Sequence, residues 1–306
     1  MGDTLHRYDS FRKQLEAFTC ELPQVQEGSV AALHRARVAS RRLREWLPLL
    51  ELDGETSRKL NRRLRKVTRR FGAVRELDVL AVLIDELEKT GRYSPTTLKQ
   101  VGAAVEPARA AARERLATRL PAAKLKRLTE KLGHAAKHLV SNDARSRPGA
   151  NGSRQAWRWA LEARLARRAA DVHAVIEAAG ALYAPEHLHD VRIALKKLRY
   201  AAELSRETKR DRAAADIAAL KSAQDLLGRL HDLEVLLERA RQVQALLLPP
   251  DLTAWRELGR LAHAVEDDCR QLHARYMRDR ARLIAIADRM GAHRPYAASI
   301  DHRAAG

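Results

Sequence analysis

Residues 33–44 read LHRARVASRRLR and residues 188–199 read LHDVRIALKKLR, so one pattern of a histidine and three cations occurs twice at an offset of 155. We call the members of the first copy the first row: His34, Arg37, Arg41 and Arg44. The second row is His189, Arg192, Lys196 and Arg199. Spacings of three, four and three place each row within roughly a quarter turn of an α-helix. Because like charges at i,i+4 repel, folding stability gives no reason for such rows, whereas a polyanionic ligand does.

A second block is repeated in the same order. FGAVRELDVL begins at Phe71 and LGRLHDLEVL begins at Leu227, an offset of 156. Together with abundant Ala, Leu, Arg and Glu, the repeats predict an all-α protein of two similar helical bundles from an internal duplication. Because duplicated domains can retain the interface of an ancestral homodimer, pseudo-twofold symmetry is expected. The predicted domains are residues 1–146 and 153–306, joined by the Pro/Gly-rich linker 141–153.

The overall charge favours an anionic partner. The 306 residues include 58 Lys and Arg against 39 Asp and Glu, a formal charge of +19. Nucleic acid, polyphosphate, phosphorylated small molecules and anionic lipid all fit such a charge. Only three Phe and six Tyr are present, which argues against a protein that stacks the bases of single strands. Two widely spaced cysteines and the absence of a signal peptide or long apolar run predict a cytoplasmic protein that does not contact membranes.

A third row of cations follows on the next predicted helix: Arg58, Arg62, Arg65 and Arg69. Between residues 29 and 75 there are 14 Lys and Arg against 4 Asp and Glu, a net of +10. The matching region, residues 184–231, has 10 against 7, a net of +3. Arg65 has a basic counterpart in Lys221, and this repetition favours Arg65 and Lys221 as binding residues over their neighbours. The alternative is a solvated face held by intrahelical ion pairs, but acids are scarce around the first row.

The paired motifs resemble the CHAD family, named for conserved histidines in an α-helical domain. The resemblance rests on the two His-x-x-Arg segments that end in Leu-Arg and on the Gly-x-Val-Arg-Glu-Leu-Asp-Val-Leu type segments. It implies two four-helix bundles that enclose a basic groove or pore for inorganic polyphosphate, and a location at polyphosphate granules with possible granule-associated protein partners. The implied site residues are His34, Arg37, Arg41, Arg42, Arg44, His189, Arg192, Lys196, Lys197 and Arg199. To these the residue pattern adds Arg62, Arg65, Arg69 and Lys221.

The expected function is therefore non-enzymatic binding of long-chain polyphosphate, without a cofactor, a metal or catalytic residues. A protein that binds the nucleic-acid backbone is the first alternative. A metal-dependent polyphosphate or inositol-phosphate phosphohydrolase using His231 and Asp232 is a weaker one, because no further ligand cluster is evident. A bound polyanion would raise the pKa of the row histidines, so their contribution to binding should grow as pH falls toward about 6.

Local features lead to further expectations. Pro48 should kink the first repeated helix, because proline removes one backbone hydrogen bond. Glu76 and Asp232 are expected to orient row cations through salt bridges. Gly72 and Gly228 are expected to mark close helix packing or a bend.

Overall fold

The computed structural model describes the backbone of residues 2–50, 52–145, 151–209, 213–247 and 251–292, and the side chains of 8–50, 52–137, 159–206, 213–247 and 251–292. These residues form ten α-helices and one short 3-10 helix and contain no strand, which confirms the all-α prediction. The helices are α1 (Gly2–Thr19), α2 (Leu22–Gln26), α3 (Val30–Trp46), α4 (Gly54–Thr90), α5 (Pro95–Arg119), α6 (Ala122–Arg145), α7 (Asn151–Ala179), α8 (Pro185–Lys209), α9 (Ala214–Ala245) and α10 (Leu252–Gly291).

Capping residues fix where the helices near the rows begin. The Ser29 side chain accepts a hydrogen bond from the Ala32 amide at the start of α3. Asp53 accepts from the amides of Glu55 and Thr56 and so begins α4. Both side chains satisfy amides that have no partner inside the helix. The first and third rows therefore lie on helices with defined starts.

Pro48 ends a helix rather than kinking one. The α3 helix stops at Trp46, and Pro48 lies in the 3-10 helix Leu47–Leu49. The expected kink was wrong, because the tighter turn accommodates the missing amide of proline at its start. Leu47, Leu49 and Leu50 are all buried, so this turn closes the end of α3 onto the core.

The chain packs as two compact units. Unit 1 comprises Met1–Pro148 and Asp225–Tyr276, and unit 2 comprises Gly149–Gln224 and Met277–Gly306. The unit boundary thus falls inside α9 and inside α10. The predicted boundaries separate sequence repeats rather than packing units, so the two-domain division stays a prediction. Part of the predicted linker belongs to α6 and α7, and residues 146–150 lie outside the described residues.

One core cluster of unit 1 contains residues from both copies of the second repeated block. It joins the C-terminal half of α4 and the start of α5 to the later half of α9 and the first half of α10. Leu80 is 1% exposed and its counterpart Leu236 is 0% exposed, and both belong to this cluster. The two copies therefore pack into one core, and the internal duplication itself remains a prediction.

The position of the first row follows from how α3 packs. Ala36, Ala39 and Leu43 are buried on one side of α3, which contacts α1 and α4. A buried hydrogen bond joins the hydroxyls of Ser40 and Thr68 at 2.9 Å, so a polar pair is satisfied inside the α3–α4 interface. The first row lies on the flank between this interface and solvent.

Unit 2 holds α8 mainly through α7. Leu188, Val191, Leu195 and Leu198 form the buried stripe of α8. The C-terminal part of α10 is tied to α7, where Arg280 donates to Glu177 at 3.0 Å. The second row is therefore carried by a helix whose apolar face is fully packed.

Candidate functional site

The first row lies along the α4 side of α3. Arg37, Arg41 and Arg44 are half-buried, and His34 is exposed. A Cβ at Gly72 of α4 would lie 3.6 Å from Arg37 Nε, so this guanidinium packs directly over the glycine. Arg44 Nε donates to Asn61 Oδ1 at 3.2 Å. The expected close packing at Gly72 thus involves a cation of the row rather than a helix backbone.

Arg42 belongs to a different face of α3. One residue after Arg41, it lies about 100° further around the helix. It is half-buried. The sequence-based site therefore includes a cation outside the line of the first row.

His34 lies in a positive environment. Partial burial lowers its pKa, and the charges of Arg75, Arg37, Arg41 and Arg35 lower it further. Arg75 belongs to α4 and was absent from the predicted site, although the repeat aligns it with His231. A histidine among four guanidinium groups is stabilised in its neutral form until an anion arrives.

The third row faces solvent along the N-terminal half of α4. Arg62, Arg65 and Arg69 are exposed. None of the three forms an ion pair with an acidic side chain in the described residues. In contrast, Arg35 outside the rows is bound to Glu21 through two hydrogen bonds of 2.6 and 2.8 Å. The third row therefore presents positive charge that the protein does not itself neutralise.

In unit 2, the second row is more buried than the sequence suggests. His189, Arg192 and Lys196 are half-buried, and His189 Nδ1 and Arg192 Nε have almost no solvent access. Lys197 on α8 and Lys221 on α9 are exposed. Among the predicted site residues of unit 2, only these two lysines are exposed.

Arg199 is committed to local structure. Its side chain is 12% exposed, forms an ion pair with Glu203 and donates through Nε to Gln224 Oε1 at 3.0 Å. Its guanidinium carbon also lies 4.7 Å from the centre of the Tyr200 ring. The bond to Gln224 joins α8 to α9, and the contacts with Glu203 and Tyr200 hold the guanidinium in place, so Arg199 has little freedom to bind a ligand.

Sequence reasoning missed a buried ion-pair cluster beside the first row. Asp78 is 0% exposed, and its Oδ1 accepts from Arg109 Nε and Arg113 Nη2, each at 2.8 Å. Arg113 Nη1 also donates to the Gly28 carbonyl at 2.6 Å. Because Gly28 directly precedes the cap of α3, this cluster connects α4 and α5 to the start of the helix with the first row.

Glu76, which was expected to form a salt bridge with the row cations, does not do so. Glu76 is exposed and forms no ion pair with a described residue, so its expected bridge to the rows was wrong. Two residues later, Asp78 faces the opposite side of α4 and pairs with α5. In the sequence, the only indication of this contact is the spacing of Arg109 and Arg113, which lie one helical turn apart.

The remaining observations concern metal binding and membrane insertion. His231 Nδ1 lies 3.8 Å from Glu234 Oε2. In the described part of the chain, no group of three or more His, Cys, Asp or Glu side chains is placed to hold a metal ion. Within the same residues, no helix has an apolar stretch sufficient to cross a membrane.

Comparison with known proteins identifies the family. The family model described as CHAD domain matches residues 9–241. The chain belongs to the CHAD domain family. This match confirms the resemblance drawn from the paired motifs, and it covers both rows, the third row and both repeated blocks.

One solved structure of a CHAD domain agrees with the fold of this CHAD protein. A crystal structure of the CHAD domain from the plant Ricinus communis is similar with a TM-score of 0.56 and 22% identity, covering 95% of this chain and 92% of that one. PptA from Streptomyces chartreusis has a TM-score of 0.49 and 21% identity, with coverage of 95% and 97%. No curated protein matches the chain. At this identity the Ricinus communis likeness concerns the fold.

Proposed function

We propose that this CHAD protein binds long-chain inorganic polyphosphate, without cleaving it, through the cations of α3 and α4 in unit 1 and of α8 and α9 in unit 2. The observation that carries the proposal is the third row. Arg62, Arg65 and Arg69 are exposed on one face of α4, and no described acid pairs with them. A ligand rich in negative charge would stabilise this arrangement.

The shape of the cationic surface favours a chain over a compact anion. From His34 to Arg44 the first row extends about 15 Å along α3, at roughly 1.5 Å per residue. Pyrophosphate would contact only part of such a row. A long chain would make many contacts and release many counterions, so its affinity would be high and would fall steeply with salt.

The side chains present suit phosphate oxygens. Arginine donates two parallel hydrogen bonds from a planar group, and the first and third rows together contain seven arginines. Lys197 and Lys221 add mobile charge in unit 2. The scarcity of aromatic residues favours an inorganic polyanion over unpaired bases.

The proposal is tested by calorimetric titration of the full chain with polyphosphates of increasing length. Affinity should rise with length and fall with salt. The variant Arg65→Gln with Arg69→Gln should bind the long polymer on the order of tenfold more weakly, since two contacts of up to about 1 kcal/mol are lost. The control, Arg256→Gln with Arg275→Gln, removes the same charge from exposed positions of α10 and should bind as the wild type does.

Three results would count against this function. Equal affinity for triphosphate and long polymer would remove the reason for extended rows. Displacement of polyphosphate by double-stranded DNA at equal phosphate concentration would favour a nucleic-acid-backbone protein. Release of orthophosphate in the presence of Mg²⁺ or Mn²⁺ would instead indicate a phosphohydrolase.

Polymer binding also leads us to propose a location at polyphosphate granules. A fluorescent fusion of the wild-type chain should co-localise with stained granules, and the fusion with Arg65→Gln and Arg69→Gln should do so less. Equal co-localisation of both fusions would indicate that another surface directs the protein there.

A further inference from the structure

A groove in unit 1 between α4 and α5 contains cations that the sequence repeat does not predict. Its volume is about 680 Å³ and it is open to solvent. The residues that line it are Arg62, Arg65, Lys66, Arg69, Arg70, Ala73, Leu77, Ala112, Arg115, Leu116 and Arg119. Seven of these eleven residues are basic and none is acidic. The α5 cations Arg115 and Arg119 lie outside the predicted site.

Two helical ridges build this groove. The α5 residues lie at spacings of three, one and three, so they share one face of the helix. Arg70 Nη1 of α4 donates to the Arg119 carbonyl at 2.8 Å and so holds the end of α5 against α4. The cations are therefore mounted on helices that a direct hydrogen bond keeps together.

The charge in the groove is not neutralised by the protein. Arg70 has its backbone partner, but the other six cations form no ion pair with any acidic side chain in the described residues. The nearby arginines of α5 that do have acidic partners, Arg109 and Arg113, are bound to Asp78 outside the groove lining. Six like charges along one groove repel, and an anion would relieve that repulsion.

The form of the groove indicates an extended anion. Along α4 its basic lining residues run from Arg62 to Arg70, about 12 Å of helix at 1.5 Å per residue. An anion must be elongated to contact cations at both ends. No aromatic ring is among the lining residues, so the groove lacks a surface on which a base could stack.

The third row links this groove to the proposed binding surface. Arg62, Arg65 and Arg69 line the groove and also belong to the third row beside α3. We infer that the bound phosphate chain continues from the α3–α4 surface into the α4–α5 groove, where Arg115 and Arg119 contact it. This inference rests on the proposed polyphosphate binding and extends the binding surface of unit 1 onto a third helix.

The test measures the affinity of the full chain for long polyphosphate at several salt concentrations. The variant Arg115→Gln with Arg119→Gln changes two exposed side chains and leaves the third row intact. We expect an affinity on the order of tenfold lower and a salt slope smaller by about 1.4, since each lost phosphate contact on a flexible strand accounts for roughly 0.7. Arg256→Gln with Arg275→Gln is the control of equal charge and should keep both quantities.

The outcomes separate the inference from the function on which it rests. If wild type and the control bind the polymer and the α5 variant binds equally well with the same slope, the extension onto α5 is wrong while polyphosphate binding stands. If the variant keeps its polymer affinity but loses a separate triphosphate site, the groove binds compact anions and the inference is overturned. If the wild type does not bind polyphosphate, the proposed function itself fails.

Discussion

At the scale of single residues, His34 connects the charge of unit 1 to pH. Its pKa is lowered by partial burial first and then by the surrounding arginines. The folded protein therefore binds fewer protons at His34 than the unfolded chain does, and this residue lowers stability as pH falls below about 6.5. A bound polyanion acts in the opposite direction, because negative charge beside the imidazole raises the pKa.

His34 should therefore take up a proton when polyphosphate binds. We expect affinity to increase between about pH 7.5 and pH 6, by up to roughly tenfold for each unit by which the ligand raises the pKa. Calorimetric titrations at both pH values should show this increase in the wild type and a smaller one in His34→Gln. The control is His173→Gln, at an exposed histidine of α7, which should keep the wild-type difference. An unchanged pH dependence in His34→Gln would place the proton uptake elsewhere.

Loss of the buried Asp78 carboxylate should lower the stability of the folded protein. Replacement by Asn removes the negative charge between Arg109 and Arg113, which are then left as neighbouring cations. Breaking a buried ion pair costs about 3–5 kcal/mol, and the partly exposed arginines reduce this to roughly 2–3 kcal/mol. Urea unfolding monitored by circular dichroism measures the loss. The matched control is Glu76→Gln, two residues earlier on an exposed face of α4, with an expected change of about 0.5 kcal/mol or less.

At the scale of elements, two glycines beside α3 should respond oppositely to alanine. Gly28 has φ +88, and an added Cβ would lie 3.1 Å from Arg113 Nη1, so Gly28→Ala should destabilise by about 1–2 kcal/mol. Gly72 lies inside α4, where an added Cβ would make ordinary contact with Arg37 at 3.6 Å. Gly72→Ala should therefore stabilise by about 0.5–1 kcal/mol through helix propensity. Thermal unfolding of both variants checks the two signs, and a destabilised Gly72→Ala would show that Arg37 cannot tolerate the methyl group.

The rows could be predicted from sequence because they depend on periodicity within one helix. Spacings of three and four define a face whatever the helix packs against, and the buried stripe of Ala36, Ala39 and Leu43 agrees. Contacts between helices carry no such signal. Asp78 meets Arg109 and Arg113 across 31 and 35 residues, and apart from the one-turn spacing of the two arginines nothing in their local pattern distinguishes them from surface charges.

The sequence also does not distinguish cations that are accessible to a ligand from cations that are engaged in contacts with neighbouring side chains. Arg199 and Arg44 occupy equivalent repeat positions, yet Arg199 is held by Glu203 and Gln224 while Arg44 donates to Asn61. Likewise Arg37 is half-buried over Gly72, so the exposed Arg65 is the better probe of binding. Residue type and spacing identify a face, whereas burial depends on the neighbouring helix.

At the scale of the whole molecule, the sequence repeat and the packing units describe different things. Both copies of the second repeated block contribute to one core of unit 1, although they are 156 residues apart. Periodicity finds the repeats, because they share helical patterns. It cannot assign residues 225–276 to a unit, because that depends on contacts between helices distant in the chain.

The two halves of the chain should contribute unequally to polymer binding. Residues 29–75 carry a net +10, with 14 basic and 4 acidic residues, whereas residues 184–231 carry +3, with 10 and 7. A phosphate chain near the first region meets fewer competing acids, and arginine also binds phosphate in a bidentate manner that lysine cannot.

Arg65→Gln with Arg69→Gln should therefore lower affinity more than Lys197→Gln with Lys221→Gln, although each pair removes two exposed charges. Titration between about 50 and 200 mM salt compares them, with a slope reduced by about 1.4 for the arginine pair and by less for the lysine pair. Equal losses would mean that the affinity depends on the total charge of the protein rather than on the cations of α4.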